Sequence, residues 1–377
     1  MLRSWLERPL INVSKITKRQ NAVGELFDST MLRDEIRGAL SGINDMERLM
    51  SRIAYSTANA KELRSLSATI GALPVIKNSL STVSTAMLKS IYENIDLLDD
   101  VKTLIESAIV DEPPFSVREG GLIKSGYNAE IDELKDIVQG GANLLAEIEA
   151  REKEKTGIPK LRVSYNKVFG YFIEVTNAYK DMVPSEYIRK QTLTNCERFI
   201  TQELKDLEGK MLGAKDRLIA LEYDVFTAVR SQIAGEVERI QRTAKALATL
   251  DSLASLAQVA FENNYCCPQI TTDGVIDIKD GRHPVVETLL DDAVFVPNDT
   301  LLDKDKNRCA IITGPNMAGK STYMRQTALI TLLAQIGSFV PAKSAQISVC
   351  DAIFTRVGAS DDLATGQIPA GTSFHCR

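Results

Sequence analysis

Arg308-Cys-Ala-Ile-Ile-Thr-Gly-Pro-Asn-Met-Ala-Gly-Lys-Ser-Thr322 sets the reading of the last third of this 377-residue chain. Its second half fits G-x-x-x-x-G-K-[S/T], and the context is the one the motif requires. A short apolar run, Arg308 to Thr313, predicts a buried strand before the loop, and Tyr323 to Ile336 predicts a helix after it, stopped by Gly337 with Pro341 beyond. Gly314 and Gly319 let successive backbone N–H groups turn toward phosphate oxygens, and the helix N-terminus adds favourable potential. Lys320 supplies a point charge for the β- and γ-phosphates, and the Ser321 hydroxyl is placed for Mg²⁺. The expected contact set for ATP or ADP is Gly314, Pro315, Asn316, Met317, Ala318, Gly319, Lys320, Ser321 and Thr322. Upstream, Phe295 has two readings, a face on which a base stacks or an ordinary core aromatic. His283, with no partner visible in sequence, reads as structural.

Working back from the loop, the chain changes character near residue 262. Ile131, Leu134, Val138, Gly141, Leu145 and Ile148 fall on alternating steps of three and four, and Leu204, Leu207, Met211, Ala214, Leu218, Leu221, Val225 and Ala228 resume the period. The second run makes a rod about 37 Å long at 1.5 Å per residue. Two such helices flanking an insertion would pair antiparallel and carry it at their tip, although two ordinary core helices account for the same spacing. Residues 1 to 126 predict short amphipathic helices, with Leu40, Ile43, Met46, Leu49, Met50 and Ile53 on one face. Pro74, Pro113, Pro114 and Gly120-Gly121 are the expected breaks between them.

The insertion differs from its surroundings. Residues 157 to 195 hold six basic and three acidic side chains, a net +3, with Tyr165, Phe169, Tyr171, Phe172, Tyr179 and Tyr187 among β-branched neighbours. Aromatic and β-branched enrichment predicts strands. Cations on a small sheet suit contact with a phosphate backbone through charge and counterion release, without reading bases. Lys167, Arg189 and Lys190 are the leading contacts, with Asn166, Gln191 and Asn195 as hydrogen-bonding partners. A solvated hairpin with a mildly basic face explains the charge equally well.

Composition sets the bounds. With 45 Lys and Arg against 50 Asp and Glu the net charge is −5, so a uniformly basic coat is excluded, and a +3 island leaves −8 for the remainder. Six cysteines without a Cys-x-x-Cys, and only two histidines, argue against a zinc site or a disulfide framework and fit thiols of a reducing cytoplasm. No apolar run approaches the roughly 18 residues of a membrane span. The basic first 20 residues fit either a transit segment or an ordinary helix around Trp5, Leu6 and Leu10.

Thr313-Gly-Pro-Asn-Met-Ala-Gly-Lys-Ser-Thr-Tyr-Met-Arg-Gln326 resembles the nucleotide loop of the MutS family of DNA mismatch-repair ATPases. Gly281-Arg-His-Pro-Val-Val-Glu287 and Ile353-Phe-Thr-Arg-Val-Gly-Ala-Ser-Asp-Asp-Leu-Ala-Thr-Gly-Gln367 are similar to the same family in the same order. So are Trp5-Leu-Glu-Arg-Pro-Leu10, Gly126-Tyr-Asn-Ala-Glu130 and Arg189-Lys-Gln-Thr-Leu193, and together they cover residues 3 to 367. The resemblance implies a mainly α fold with a small β-rich clamp insertion, followed by a partial α/β P-loop ATPase domain of the ABC type. The implied parts are a helical core and lever (1–126), a lever helix (127–156), the DNA clamp (157–196), a returning lever helix and core (197–261) and an incomplete ATPase domain (262–377). It also implies ATP or ADP with Mg²⁺, adenine stacked on Phe295, Asn316 near the γ-phosphate, double-stranded DNA (mismatched for whole family members), a MutL-type partner, a homodimer and a cytoplasmic location.

The departures shape the expectations further. Family members begin with a mismatch-reading domain whose Phe-x-Glu wedges at a mispair. Here Phe172-Ile173-Glu174 has that form but lies within the strand-like island, where period-two alternation explains it. Only 57 residues follow Lys320, so the acidic Walker B segment and the dimerisation tail are expected to be missing, and Asp351 is a poor substitute. After Gln367 the likeness stops at Ile368-Pro-Ala-Gly-Thr-Ser-Phe-His-Cys-Arg377, the pattern of a truncated or frame-shifted product. The expectation is a mismatch-repair ATPase fragment with weak ATP binding and negligible turnover. The alternatives are a non-catalytic, sequence-independent duplex-binding module and an inactive remnant.

Overall fold

The computed structural model describes residues 1–166, 170–290, 294–315, 318–356 and 373–376. Seven helices precede residue 126: α1 (Leu2–Glu7), α2 (Val13–Asp28), α3 (Thr30–Leu40), α4 (Met46–Ala54), α5 (Ala60–Ser79), α6 (Ala86–Asn94) and α7 (Asp99–Ala108). Their starts are written locally. The Asn12 side chain accepts the Lys15 N–H at 3.1 Å and Ser29 that of Leu32 at 3.4 Å. Asn59 and Glu62 form a reciprocal capping box, each side chain accepting the other's N–H, at 3.0 and 2.9 Å. Pro74 corrects one expectation, because it lies inside α5 and not in a connector. A mid-helix proline costs about 3 kcal/mol. Its neighbours Leu73 and Ile76 are fully buried, and that burial outweighs the lost hydrogen bond.

Two long helices, α8 (Ala129–Thr156) and α9 (Gln202–Gly235), flank a four-stranded antiparallel sheet of β1 (Arg162–Asn166), β2 (Gly170–Thr176), β3 (Ile188–Thr192) and β4 (Cys196–Ile200), ordered β1-β2-β4-β3. Asn128 and Thr201 cap the two helices through the N–H groups of Ile131 and Leu204. Arg151 pairs with Glu203 and Glu130 with Arg217, so position on α8 rises as position on α9 falls and the helices run antiparallel. Ile131, Leu134 and Ile148 on α8, and Leu204, Met211 and Ala214 on α9, are buried as the heptad reading expects. Farther along α9 the buried face drifts to Glu222, Phe226, Val229 and Ile233, while Ala228 is exposed. A straight helix of 3.6 residues per turn leaves a 3.5 repeat in that way. At Gly141 the helices are in close contact, because an added Cβ would lie 2.5 Å from Met211 Cγ. These elements, with residues 48–68 and α7, form one unit (Arg48–Ala68, Asp99–Val237).

The other unit comprises Met1–Glu47, Thr69–Leu98 and Glu238–Arg377. Its helical part is centred on α2, α3 and α10 (Val237–Glu262). Arg33, 1% exposed, donates to the Leu26 and Phe27 carbonyls at 3.0 and 2.9 Å and to Gln258 Oε1 at 2.8 Å, and it stacks 4.2 Å from the Phe261 ring centroid. Beyond α10 lies a sheet of β5 (Gln269–Thr271), β6 (Ile276–Gly281), β7 (Asn298–Leu302) and β8 (Ser344–Ser348), ordered β5-β8-β6-β7. Helix α11 (Lys320–Gln335) packs on it through Ile330 and Ala334 against Ile276, Ile278 and Ile347. A short antiparallel ribbon joins β9 (Ile353–Arg356) to β10 (Ser373–Cys376).

Within the sheet, only β5 and β8 pair in parallel among the described strands. The strand expected over Arg308 to Thr313 is not formed, and Ile311 is 89% exposed. A four-residue apolar run becomes a strand only when neighbours supply hydrogen bonds and cover both faces, and no described strand pairs with this one. Among the described residues the sheet and helix are present, and they do not by themselves show a P-loop fold.

Candidate functional site

The helix that follows the Gly-rich loop is where the sequence places it. Gly319, at φ 80°, caps α11 in the left-handed conformation, and the helix runs to Gln335 before Gly337. Lys320 Nζ donates to the carbonyls of Gly314 and Pro315 at 2.7 and 2.6 Å, so the ammonium lies over the loop it was expected to serve. Ser321 is buried in the first turn and Thr322 half-buried, while Ala318 is exposed. Asn316 and Met317 lie outside the described residues. Phe295 is half-buried between Val294 and Val296, which are 91% and 76% exposed, so its ring is turned inward relative to its neighbours.

The far end of α11 is tethered. Gln335 Nε2 donates to the carbonyls of Leu10 and Cys350 at 3.1 and 2.9 Å, and its Oε1 accepts the Cys350 N–H at 3.1 Å. Arg19 donates to the Ile336 carbonyl and stacks 3.6 Å from the Trp5 ring centroid. Trp5 is thus buried as part of the folded helical region.

His283 is structural, as expected. Its Nδ1 accepts the N–H groups of Val285 and Val286 at 3.3 and 3.2 Å, which places the proton on Nε2. Burial, helped by the Arg325 charge, holds its pKa below the ordinary histidine value. Asp351, the weak candidate for an acidic metal partner, is exposed. Among the described residues no cluster of three His, Cys, Asp or Glu could hold a metal ion. The donor set here is one hydroxyl, Ser321, beside the Gly-rich loop. That fits Mg²⁺, which keeps several waters and takes phosphate oxygens, and does not fit an all-protein metal cage.

The basic island forms its own four-stranded sheet. One face of its sheet packs on the ends of α8 and α9 through Ile148, Ile173, Val175, Tyr187, Phe199 and Leu204. Tyr187 Oη donates to the buried Glu152 of α8 at 2.5 Å, and burial together with that bond pushes the phenol's pKa up. On the other face the Arg198 guanidinium stacks 4.4 Å from the Phe172 centroid, paired with Glu174 at 3.1 Å and donating to Gln191 Oε1 at 3.0 Å. Phe172 is 3% exposed, so the Phe-Ile-Glu stretch is an interior strand segment and no projecting wedge.

The expected DNA contacts are not gathered in one place. Arg189, Lys190 and Gln191 lie on edge strand β3, with an irregularity in register between Arg189 and Gln191. Asn166 ends β1 on the opposite edge, three strand spacings or about 14 Å across the sheet and offset along it by three residues from the position level with Arg189. Asn195 is exposed in the turn between β3 and β4, and Lys167 lies outside the described residues. Arg189 and Lys190 are both exposed, and Arg189 is ion-paired with Glu197 at 3.2 Å. Arg198 was missed because the island was bounded at Asn195. The alternation continuing through Cys196-Glu-Arg-Phe-Ile200 was the available signal.

Two family models match this chain: residues 1–257 match the one described as MutS domain III, and residues 310–371 the one described as MutS domain V. The DNA mismatch repair protein MutS of Lachnoclostridium phytofermentans is 56% identical over 367 residues, 97% of this chain and 39% of that protein. Those of Acetivibrio thermocellus and Desulforamulus reducens are 54% and 53% identical, each covering 97% of this chain and 42% of the relative. The chain therefore spans about two fifths of the length of the curated relatives it matches.

Proposed function

Because the chain belongs to the MutS family, we propose that it carries two working parts of a DNA mismatch-repair protein, a nucleotide-binding loop and a duplex-contacting sheet. In this reading residues 1–126 are core and lever, 127–156 and 197–261 the lever helices, 157–196 the clamp and 262–377 a nucleotide domain. The observation that carries it is Gly314 to Thr322 leading into α11, with Gly319 capping the helix and Lys320 over the loop. An adenosine di- or triphosphate is the ligand. Lys320 would exchange the Gly314 and Pro315 carbonyls for phosphate oxygens, the N–H groups of the first turn would face the same anion, and Phe295 would offer its ring to adenine. Mg²⁺ supplies charge neutralisation between phosphate groups when bound, and Ser321 is the protein group placed to ligate it.

On the sheet, Lys190 and Arg189 would meet the phosphates of a duplex, and Gln191 and Asn195 would add hydrogen bonds that orient without reading sequence. A phosphate cradle and a separate cationic edge on one chain match a DNA-handling nucleotide protein better than a nucleic-acid module alone. Thermal unfolding tests the nucleotide half. At a hundredfold excess over Kd, MgADP stabilises a one-site protein by about 2.7 kcal/mol. The wild-type chain is expected to show a concentration-dependent rise in Tm and Lys320→Ala none, whereas equal rises in both would remove the loop from the account.

A further inference from the structure

Tyr323 stands one helical turn beyond Lys320, and its hydroxyl reaches across to the strand that follows Phe295. It donates to the Asp299 carbonyl at 3.1 Å and accepts from Thr300 Oγ1 at 2.9 Å. Thr300 and Thr327 are both buried, with their hydroxyls 3.4 Å apart, and Thr327 Oγ1 donates to the Tyr323 carbonyl at 3.2 Å. Asp299 and Thr300 belong to β7, which begins at Asn298, and Asn298 Nδ2 donates to the Val296 carbonyl at 2.9 Å. The first turn of α11 is therefore bonded through the Tyr323 hydroxyl to β7, whose first residue, Asn298, is bonded in turn to the Val296 carbonyl beside Phe295.

We propose that Tyr323 is a positioning residue for nucleotide-base recognition. By bonding β7 to α11 it sets the separation between the phosphate-binding loop and the aromatic face of Phe295, so that one ligand meets both. The inference rests on the nucleotide reading above and goes beyond it by assigning a role to a side chain that touches neither phosphate nor base. The phosphates are held by the loop and the helix N-terminus, which Tyr323 does not contribute to through its hydroxyl. Its removal should therefore weaken ligands that carry a base and spare those that do not. A merely structural role in α11 would weaken both alike.

The test is calorimetric titration of the whole chain with MgADP and with magnesium tripolyphosphate, which has the phosphates and no base. Tyr323→Phe keeps the ring and loses only the hydroxyl. One ordinary hydrogen bond is worth a factor of about two to ten in binding, so a loss of about fivefold is expected for MgADP with tripolyphosphate unchanged. Thr300→Val, which removes the donor from the other side, should reproduce the pattern. In a Phe295→Ala background Tyr323→Phe should have no further effect. Equal weakening of both ligands, or no change in either, overturns the positioning role while leaving the nucleotide reading intact. A wild-type chain that binds neither ligand overturns the nucleotide reading and the inference with it.

Discussion

The carboxylate of Glu222, fully buried in α9, accepts the backbone N–H of Leu122 at 3.3 Å, and the same oxygen accepts that of Gly121. Lys135 Nζ lies 3.7 Å from the other oxygen and donates to the Ile123 carbonyl at 2.7 Å. One buried anion thus holds the Gly120-Gly121 turn against the long helix. Glu222→Ala leaves the buried Leu122 N–H, the part-buried Gly121 N–H and a cation without their acceptor, a change that costs about 3–5 kcal/mol. Glu222→Gln keeps one acceptor and should cost less. Denaturant unfolding at unchanged m measures both, and equal stability of the alanine variant would refute the assignment.

Gly140 and Gly141 are neighbours in α8 with opposite prospects. Nothing lies within 4 Å of a Cβ at Gly140, so Gly140→Ala should gain about 0.8–1 kcal/mol of helix propensity. At Gly141 a Cβ would lie 2.5 and 2.6 Å from Met211 Cγ and Sδ, atoms near enough to the root of the side chain that the whole residue must move. Gly141→Ala should therefore lower Tm where Gly140→Ala raises it. The same sign for both would show that the helices do not meet at Met211.

The lowered pKa of His283 has a definite direction in stability. The ordinary histidine value is about 6.5. Below it the unfolded chain takes up a proton that folded His283 resists, so its contribution is fully present above pH 6.5 and lost as pH falls toward the depressed folded value. Burial raises the pKa of Glu287, which acts in the opposite sense, so the wild type alone does not isolate the effect. His283→Asn retains an acceptor for the Val285 and Val286 N–H groups and removes the titration. Unfolding free energies at pH 7.5, 6.5 and 5.5 should fall less steeply in the variant, and identical slopes would count against it.

On the β1–β4 sheet the two adjacent cations are unequal. Both are exposed, but Glu197 offsets the charge of Arg189 through an ion pair at 3.2 Å. Lys190→Ala should therefore reduce duplex affinity more than Arg189→Ala, and should lower the slope of log K against log salt by about one. Salt-titrated binding to a duplex measures both quantities. An unchanged salt slope in Lys190→Ala would move the DNA contact away from this edge.

Much of the architecture was legible because its signals are local. Asn12, Ser29, Asn128 and Thr201 cap the helices they precede, the heptad positions of α8 and α9 are buried or half-buried except Ala228, and the aromatic island is a sheet. What failed depends on partners distant in sequence. Leu73 and Ile76 carry Pro74 into a helix through tertiary burial, and Arg308 to Thr313 has a strand's composition without a described neighbour to pair with. At the candidate sites the motif exposed Lys320 and Ser321, but no periodicity shows that Tyr323 bonds Thr300. Strand order likewise separates Asn166 from Arg189 across the sheet, and Arg198 meets Glu174 from 24 residues away.

The central claim is that Gly314 to Thr322 is a working phosphate cradle, and a direct titration with MgADP tests it most simply. Saturable one-site binding is expected of the wild-type chain, lost in Lys320→Ala while the variant's unfolding curve stays that of the wild type. Absence of binding by the wild type, or equal affinity in the variant, would contradict it.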